Sequence, residues 1–584
     1  LSYNIIGISA NYHDSACCII QDGILKAAVQ EERFSGIKND PALPKSAFLY
    51  CLEAANISIT DIDCIAYYED PVKKLARQLW SGNTNAVPVL IEKGTGYVEK
   101  QIRKRLGYEG LIKYYDHHLS HAASSFYFSG FPEAATLTVD GVGEWATTTY
   151  GTGKGNELSL FEEVIFPDSI GLLYSTITSF LGIRINSGEY KVMGLAPYGE
   201  DRYVNKIRQM IISGADGQYQ LDLQYFDFIT GDKMYSPRLA ELLGIPPRVR
   251  GTEILQAHKD IAKSLQVVLE EILIEKANYL YKKTGMDHLC MAGGVALNCV
   301  ANAKILRNSP FKKLFVQPAA NDAGCCLGAA ALAYVVATGE RIKKPMEHAY
   351  LGPRFNTSDI ADLLESTSLK YHTFQGKTAE LLNATAQRIA AGKVIGWFHG
   401  RMEFGPRSLG ARSILADPRN PTMRDRINAT VKLREAFRPF APAVPAEEAH
   451  KHFDIDHPSP FMLETCQVIS TLDLPAITHV DGSARIQTVH AETNARFAAL
   501  LQAFNQLTGC PILLNTSFNV RDMPIACTPE DALICFITTD IDCLVLEDFI
   551  IDREDNELDL LNTINLVLRD HNYDLVNRDV YTFI

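Results

Sequence analysis

Residues 4–34 read NIIGISANYHDSACCIIQDGILKAAVQEERF. NIIGISA, SACCIIQDG and ILKAAVQEERF are short apolar runs bounded by turn residues, so they predict three strands joined by tight turns. Gln21-Asp22-Gly23 supplies a hairpin signal between the second and third. Beyond them, PKSAFLYCLEAAN (44–56) has helical spacing with Pro44 near its start, and DCIAYYED (63–70) returns to a strand. The layout recurs: ATLTVDGVGEWATTTYGTG (135–153) is again strand, turn and strand, with glycines where the chain reverses beside an acidic residue.

Two such units resemble the duplicated core of the actin-like and sugar-kinase superfamily, in which nucleotide lies between two similar α/β lobes. A long amphipathic helix is expected at 253–284. It leads to a buried strand, HLCMAGGVALN, a helix at 300–307, the strand KLFVQP and the apolar helix AGCCLGAAALAYVVA (323–337). That last run falls short of the roughly 20 residues that span a bilayer. The polar stretch 338–358, with Pro345 and Pro353, lacks periodicity, and the linker is placed at 346–358. The expected domains are therefore 1–345 and 359–584, the second ending in an acidic and then helical tail.

At 584 residues the chain is too long for one core. Its 47% hydrophobic and 21% charged residues are ordinary for a globular protein. A net charge of −13 argues against a general nucleic-acid or membrane-surface binder. The 13 cysteines form no CxxC pair and read as small core residues, which fits a reducing compartment. With no basic, then apolar leader at the N-terminus, a cytoplasmic protein is expected.

In DHHLSHAASSF, His117 and His121 are four apart and leave one helix face together, as two ligands of one ion would. Asp140, ending ATLTVD, and Asp322, opening a helix after PAAN, add two carboxylates. Such a nitrogen–oxygen set suits iron(II), manganese or zinc better than magnesium, and no thiolate is implied. The alternative is a pair of buried, hydrogen-bonded histidines. His13 follows the first strand and has the near-neutral pKa of a general base, or it is structural. Gly293-Gly294 lies between a strand and a helix where amides can face phosphate, with Asn298 following. Glu189 and Lys191 in SGEYKVMGLAPYG are expected two apart on a strand, facing one side. GRMEFGPRSLGARSILADPRNPTMRDRINATVKLREAFRPFAP (400–442) interleaves Arg401, Arg407, Arg412, Arg419, Arg424, Arg426, Lys432, Arg434 and Arg438 with Gly, Pro and apolar residues. It reads as the wall of a pocket for a phosphate-bearing ligand. Arg485, Asn515 and Ser517 are candidates to close it.

GISANYHDSA, EERF, DHHLSHA, TLTVDGVGEW, SGEYKVMGLAPYG, AGGVALN, NDAGCCLGAA, FGPRSLGARSILADPR, VKLREAFRPFAP and LLNTSFN occur in this order over residues 1 to about 550. Together they resemble the NodU/CmcH/TobZ family of O-carbamoyltransferases. The resemblance implies an α/β protein: an N-terminal actin-like ATPase (ASKHA) domain of duplicated RNase H-like lobes, then a C-terminal YrdC-like domain. It implies that His117, His121, Asp140 and Asp322 hold a divalent, iron-type metal and that His13 deprotonates the acceptor. Glu189, Lys191, Gly293, Gly294 and Asn298 would contact an adenylate. Arg407, Lys432, Arg438, Arg485, Asn515 and Ser517 would bind carbamoyl phosphate and ATP, the latter with Mg²⁺. The implied activity is ATP-dependent transfer of a carbamoyl group, through carbamoyladenylate, to a small-molecule acceptor. A homodimer is the default expectation.

The chain departs from the family after EERF. SGIKNDPALP keeps Lys38 but has Asn39 where many members have histidine, which leaves the acceptor unassigned. Segment 200–250 is expected to shape the acceptor pocket. The alternative on the same folds is an enzyme that makes threonylcarbamoyladenosine in tRNA. It needs an RNA-binding surface, against which the acidic balance weighs.

Overall fold

The computed structural model describes residues 2–81, 96–214, 217–229 and 231–556. The expected helical tail lies outside them. The described residues divide into two compact units, one drawn from 2–31 and 39–346, the other from 32–38 and 347–556.

The first unit holds two five-stranded sheets of the same topology. β1 (Asn4–Ser9), β2 (Ala16–Gln21), β3 (Ile24–Gln30), β4 (Cys64–Tyr67) and β5 (Ile112–Tyr114) stand in the order β3-β2-β1-β4-β5. The first three run antiparallel, and β4 and β5 run parallel to β1. The turn from β2 to β3 is Asp22-Gly23, both at positive φ (52° and 76°), as a two-residue hairpin of this twist requires. The second sheet repeats the plan. β6 (Glu133–Val139), β7 (Ala146–Lys154) and β8 (Glu157–Ile165) run antiparallel. A small hairpin, β9 (Ile211–Ser213) with β10 (Tyr219–Leu221), lies within segment 200–250. β11 (His288–Ala292) then joins parallel to β6, and β12 (Lys313–Val316) parallel to β11. Three antiparallel strands extended by two parallel ones, twice over, are the duplicated RNase H-like lobes of the actin-like class.

The long helix runs from Gln256 to Thr284 and stops at Gly285, φ 65°. Glu189 and Lys191 do not lie on a strand. Gly188 opens a helix over Glu189–Leu195, so the two side chains leave in different directions.

The second unit is an α/β domain on one open mixed sheet. Its strands are β13 (His372–Thr373), β14 (Ile395–Phe398), β15 (Arg412–Ala416), β16 (Ala441–Pro445), β19 (Gln487–Val489), β20 (Leu513–Ser517), β21 (Cys543–Leu546) and β22 (Phe549–Asp552). Their order is β13-β22-β21-β14-β15-β20-β16-β19, with β17 (Thr465–Gln467) and β18 (Ser483–Arg485) in a separate pair. Residues 347–358 are packed into this unit. Gly352 N–H donates to the Met402 carbonyl and Met402 N–H to that of Pro353, each at 2.9 Å. Residues 32–38 also belong to it, since Arg33 donates to the Gly405 carbonyl at 2.8 Å and Phe34 packs on Met402, Ile525 and Cys527. Among the described residues, no helix is long and apolar enough to cross a membrane.

Candidate functional site

Every residue of the His117–Phe126 helix except Leu119 is buried. His117 and His121, one turn apart, point at Asp140, which follows β6, and at Asp322, the first residue of the Asp322–Thr338 helix. His117 Nε2 lies 3.2 Å from Asp140 Oδ2 and 3.6 Å from Asp322 Oδ1. His121 Nε2 lies 3.5 and 3.7 Å from the same two atoms. Ligands held about 2.1 Å from one ion stand about 3.0–3.6 Å apart, so the quartet needs little adjustment to coordinate. A second observation supports the fit: His121 Nε2 and both Asp322 oxygens are buried without a hydrogen-bond partner. Orphaned buried acceptors are costly and point to a missing ligand.

Electrostatics agree. Burial raises the Asp140 carboxyl, but the adjacent imidazoles of His117 and His121 outweigh it and hold the group well below the usual carboxylate range. Burial depresses the His121 imidazole, while Cys325 and the two carboxylates raise it further.

His13 stands at the edge of the quartet, its Nδ1 2.9 Å from Asp14 Oδ2 and 3.9 Å from Asp322 Oδ2. Its loop is tight, with Asn11 and Asp14 both at positive φ. Pro41 and Asp40 brace it by accepting from the amides of Asn11 (2.8 Å) and Ser15 (3.0 Å). The neighbouring Asn39 is itself left-handed (φ 57°), a conformation asparagine tolerates well, and it donates to the Asn186 carbonyl. Burial lowers the His13 pKa, but Asp322 and then Asp14 outweigh it and raise the group to about 9. Asp322 is among the carboxylates whose charge a bound cation would neutralise.

Two groups escaped the sequence reading. Glu144 is buried, and both its oxygens accept the His117 amide (2.9 and 3.1 Å) while one also takes the Asp70 amide (2.7 Å). It anchors the start of the ligand-bearing helix, whose N-cap residue Asp116 makes no side-chain cap. Cys325 lies with His117 and His121 in a second cluster of ligand atoms within 4.8 Å of one another. All thirteen cysteines are buried and none is in a disulfide, as core residues would be, and this one also faces the histidines.

The other expected contacts are placed as follows. Gly293 adopts φ 96° and approaches β6 so closely that a Cβ would overlap the Val139 carbonyl. Gly294 spends its amide on Asp140 Oδ1 at 2.8 Å, which orients that carboxylate. Asn298 caps the Cys299–Asn308 helix through Ala301 and exchanges hydrogen bonds with Gln266. Glu189 accepts from Ser175 Oγ (2.8 Å) and the amides of Asn186 and Gly188, and Lys191 is half-buried nearby in sequence.

In the second unit the basic block divides. Arg412 is buried, lies 3.6 Å over the Phe398 ring and donates to the carbonyls of His399, Gly400 and Pro353. Arg401 donates to the carbonyls of Leu351 and Gly352, Arg419 pairs with Asp417, and Arg426 with Asp542. These side chains hold the fold together. Lys432 is buried and donates to the Ser517 carbonyl, Ser517 Oγ (3.2 Å), the Asn519 carbonyl (3.0 Å) and Asn519 Oδ1 (2.8 Å). Burial, then the charges of Arg434, Arg438 and Lys38, hold its ammonium well below the ordinary lysine range. Asn515, two residues before Ser517 on β20, donates to Gln487 Oε1 (2.8 Å) and the Ser408 carbonyl (3.3 Å).

The class is thus a two-unit α/β protein, with a buried nitrogen–oxygen ligand quartet on duplicated actin-like lobes and a buried lysine in the second unit. The family models for the carbamoyltransferase N-terminus and C-terminus match residues 4–331 and 386–553. The chain is 44% identical to an uncharacterized protein of Synechocystis sp., over 94% of this chain and 97% of that one. It is 40% identical to the nodulation protein NolNO of Sinorhizobium fredii over 93% of this chain and 79% of that one. It is 38% identical to the 3'-hydroxymethylcephem-O-carbamoyltransferase of Streptomyces clavuligerus over 40% and 42% of the two chains. The chain belongs to the carbamoyltransferase family, in the NodU/CmcH group.

Proposed function

We propose that this protein is an ATP- and carbamoyl-phosphate-dependent O-carbamoyltransferase acting on a hydroxyl of a small molecule. The observation that carries the reading is the ligand quartet, whose orphaned, buried atoms lie beside His13 in a chain of this family.

In the second unit, Lys432, Arg407, Arg438 and Arg485 neutralise the phosphates, with Asn515 and Ser517 fixing orientation. Water hydrolyses carbamoyl phosphate to carbamate and phosphate, and a carbamate oxygen then displaces pyrophosphate from the α-phosphorus of ATP to give carbamoyladenylate. The adenylate is then used by the first unit, where Lys191, the Gly293-Gly294 turn and the Asn298 helix end border it, and Glu189 braces the loop before its helix. The acceptor oxygen attacks the carbamoyl carbon, AMP leaves, and His13 takes the hydroxyl proton, a contribution typically about 10²–10⁴-fold. An iron(II)-type ion on His117, His121, Asp140 and Asp322 would supply Lewis-acid stabilisation of the charge that develops on the carbonyl oxygen. Glu144 keeps the two imidazoles in register by anchoring their helix.

The test is incubation with ATP, carbamoyl phosphate and iron(II), reading pyrophosphate release and carbamoyladenylate by mass spectrometry. Pyrophosphate release that requires carbamoyl phosphate, is lost in Arg407→Ala and survives in His117→Ala supports the reading. Release indifferent to carbamoyl phosphate overturns it.

A further inference from the structure

The two histidines of the candidate centre face more than the carboxylates. One ligand atom each from His117, His121 and Cys325 lies within 4.8 Å of the others, and all three residues are buried. Cys325 is three residues after Asp322 on the Asp322–Thr338 helix, so both side chains leave the same face. One turn further on, Gly328 lets that helix close onto the histidine helix, since a Cβ there would overlap the Ser120 carbonyl. The close approach brings sulfur to the imidazoles. Among the described residues the thiol and the carboxylates form two sets that share the histidines, not one five-ligand cluster.

The sets differ in chemistry. Two imidazoles with two carboxylates suit iron(II) or manganese(II), whereas thiolate with imidazole is a typical zinc environment, with Zn–S near 2.3 Å and Zn–N near 2.0–2.1 Å. We propose that the centre has a second coordination mode, His117–His121–Cys325, which takes zinc(II) through sulfur and draws it off the carboxylate pair. The proposal rests on reading His117 and His121 as metal ligands. Binding exchanges the thiol proton for zinc: the S–H bond breaks, an S–Zn bond forms and the proton leaves to solvent. An ion held there is displaced from Asp322 and from the side of the site that His13 faces. Zinc is thus a tight occupant that does not support transfer, and Cys325 sets which metals the protein tolerates.

Metal binding to the full chain tests this directly, using cobalt(II), zinc(II) and manganese(II) on protein stripped with a chelator. Cobalt(II) is expected to give a near-ultraviolet sulfur-to-metal charge-transfer band in the wild type. The band persists in Asp322→Asn and disappears in Cys325→Ser. Zinc affinity, read by competition with a chelating dye, falls about tenfold or more in Cys325→Ser while manganese affinity holds. Retained manganese binding certifies that the variant is folded, and Cys325→Ala is expected to behave the same way. Absence of the band in the wild type overturns the proposal, as does a parallel loss of zinc and manganese in both Cys325 variants. If His117→Ala binds all three metals as the wild type does, the ligand reading of the histidines fails instead, a result distinct from failure at Cys325 alone.

Discussion

The candidate centres of the two units treat their polar atoms in opposite ways. In the first, His121 Nε2 and both Asp322 oxygens are buried with no partner, although the helices carrying them are tightly packed. In the second, Lys432 is buried with acceptors from Ser517 and Asn519 around its ammonium. Orphaned atoms mark a site the fold has left for something else. Saturated ones hold their surroundings in place and reach a ligand only through the charge they retain. The first centre therefore depends on what binds there, and the second on how its cation is shared between loop and substrate.

The sharpest challenge to this contrast is Lys432→Met. If the lysine serves substrate as well as loop, carbamoyl-phosphate-dependent pyrophosphate release falls about 10²-fold, the scale of losing one charge-stabilising donor. The variant also melts lower, because the Ser517 and Asn519 carbonyls lose their donor at about 1–3 kcal/mol. A lower melting temperature with unchanged pyrophosphate release would make Lys432 purely architectural.

Glu144→Gln probes the other side. Glutamine keeps one acceptor for the His117 amide but loses the charge and the second oxygen that also serves it. Manganese affinity measured by calorimetry should drop about 10–100-fold, as expected for a group that orients ligands without touching the ion. Unchanged affinity would mean that packing alone fixes the histidine helix.

These residues also show where sequence reading succeeds and stops. The duplicated lobes were legible because Asp22-Gly23 and the short apolar runs act locally, and the pairing β1-β2-β3 follows from them. That His117 and His121 share one helix face was legible from their spacing of four. Glu189 and Lys191 were misread as a strand, because a seven-residue helix opened by Gly188 leaves almost no periodic signal. The arginine block looked uniform in sequence, yet Arg426 answers to Asp542 and Arg401 to the carbonyls of 351–352, partners that only the folded sheet brings near. Glu144 was invisible for a related reason: it acts through a main-chain amide, which has no residue signature. Cys325 had a signal, its position three residues after Asp322, that went unread among thirteen buried thiols.

The smallest expected effect separates saturation from function. Lys276 is a second buried, saturated amine, this time in the first unit, bonded to Tyr150 Oη (3.0 Å) and the Gly217 carbonyl and lying 4.3 Å over the Tyr219 ring. Burial, opposed by Glu275 and Glu162, lowers its pKa to about 7. The unfolded chain keeps the ordinary value near 10.4, so between about pH 7 and 10 it binds more protons than the folded one. Stability from this group therefore rises with pH across that window, and below it the full cost of burying the ammonium is felt. Lys276→Met removes the titration, so the difference in melting temperature between wild type and variant should move in favour of the wild type from pH 7 to 9. Subtracting the variant cancels the other groups that titrate there, and the constant loss of the Gly217 hydrogen bond does not alter the slope. A pH-independent difference would show that the Lys276 amine is not held neutral by its burial.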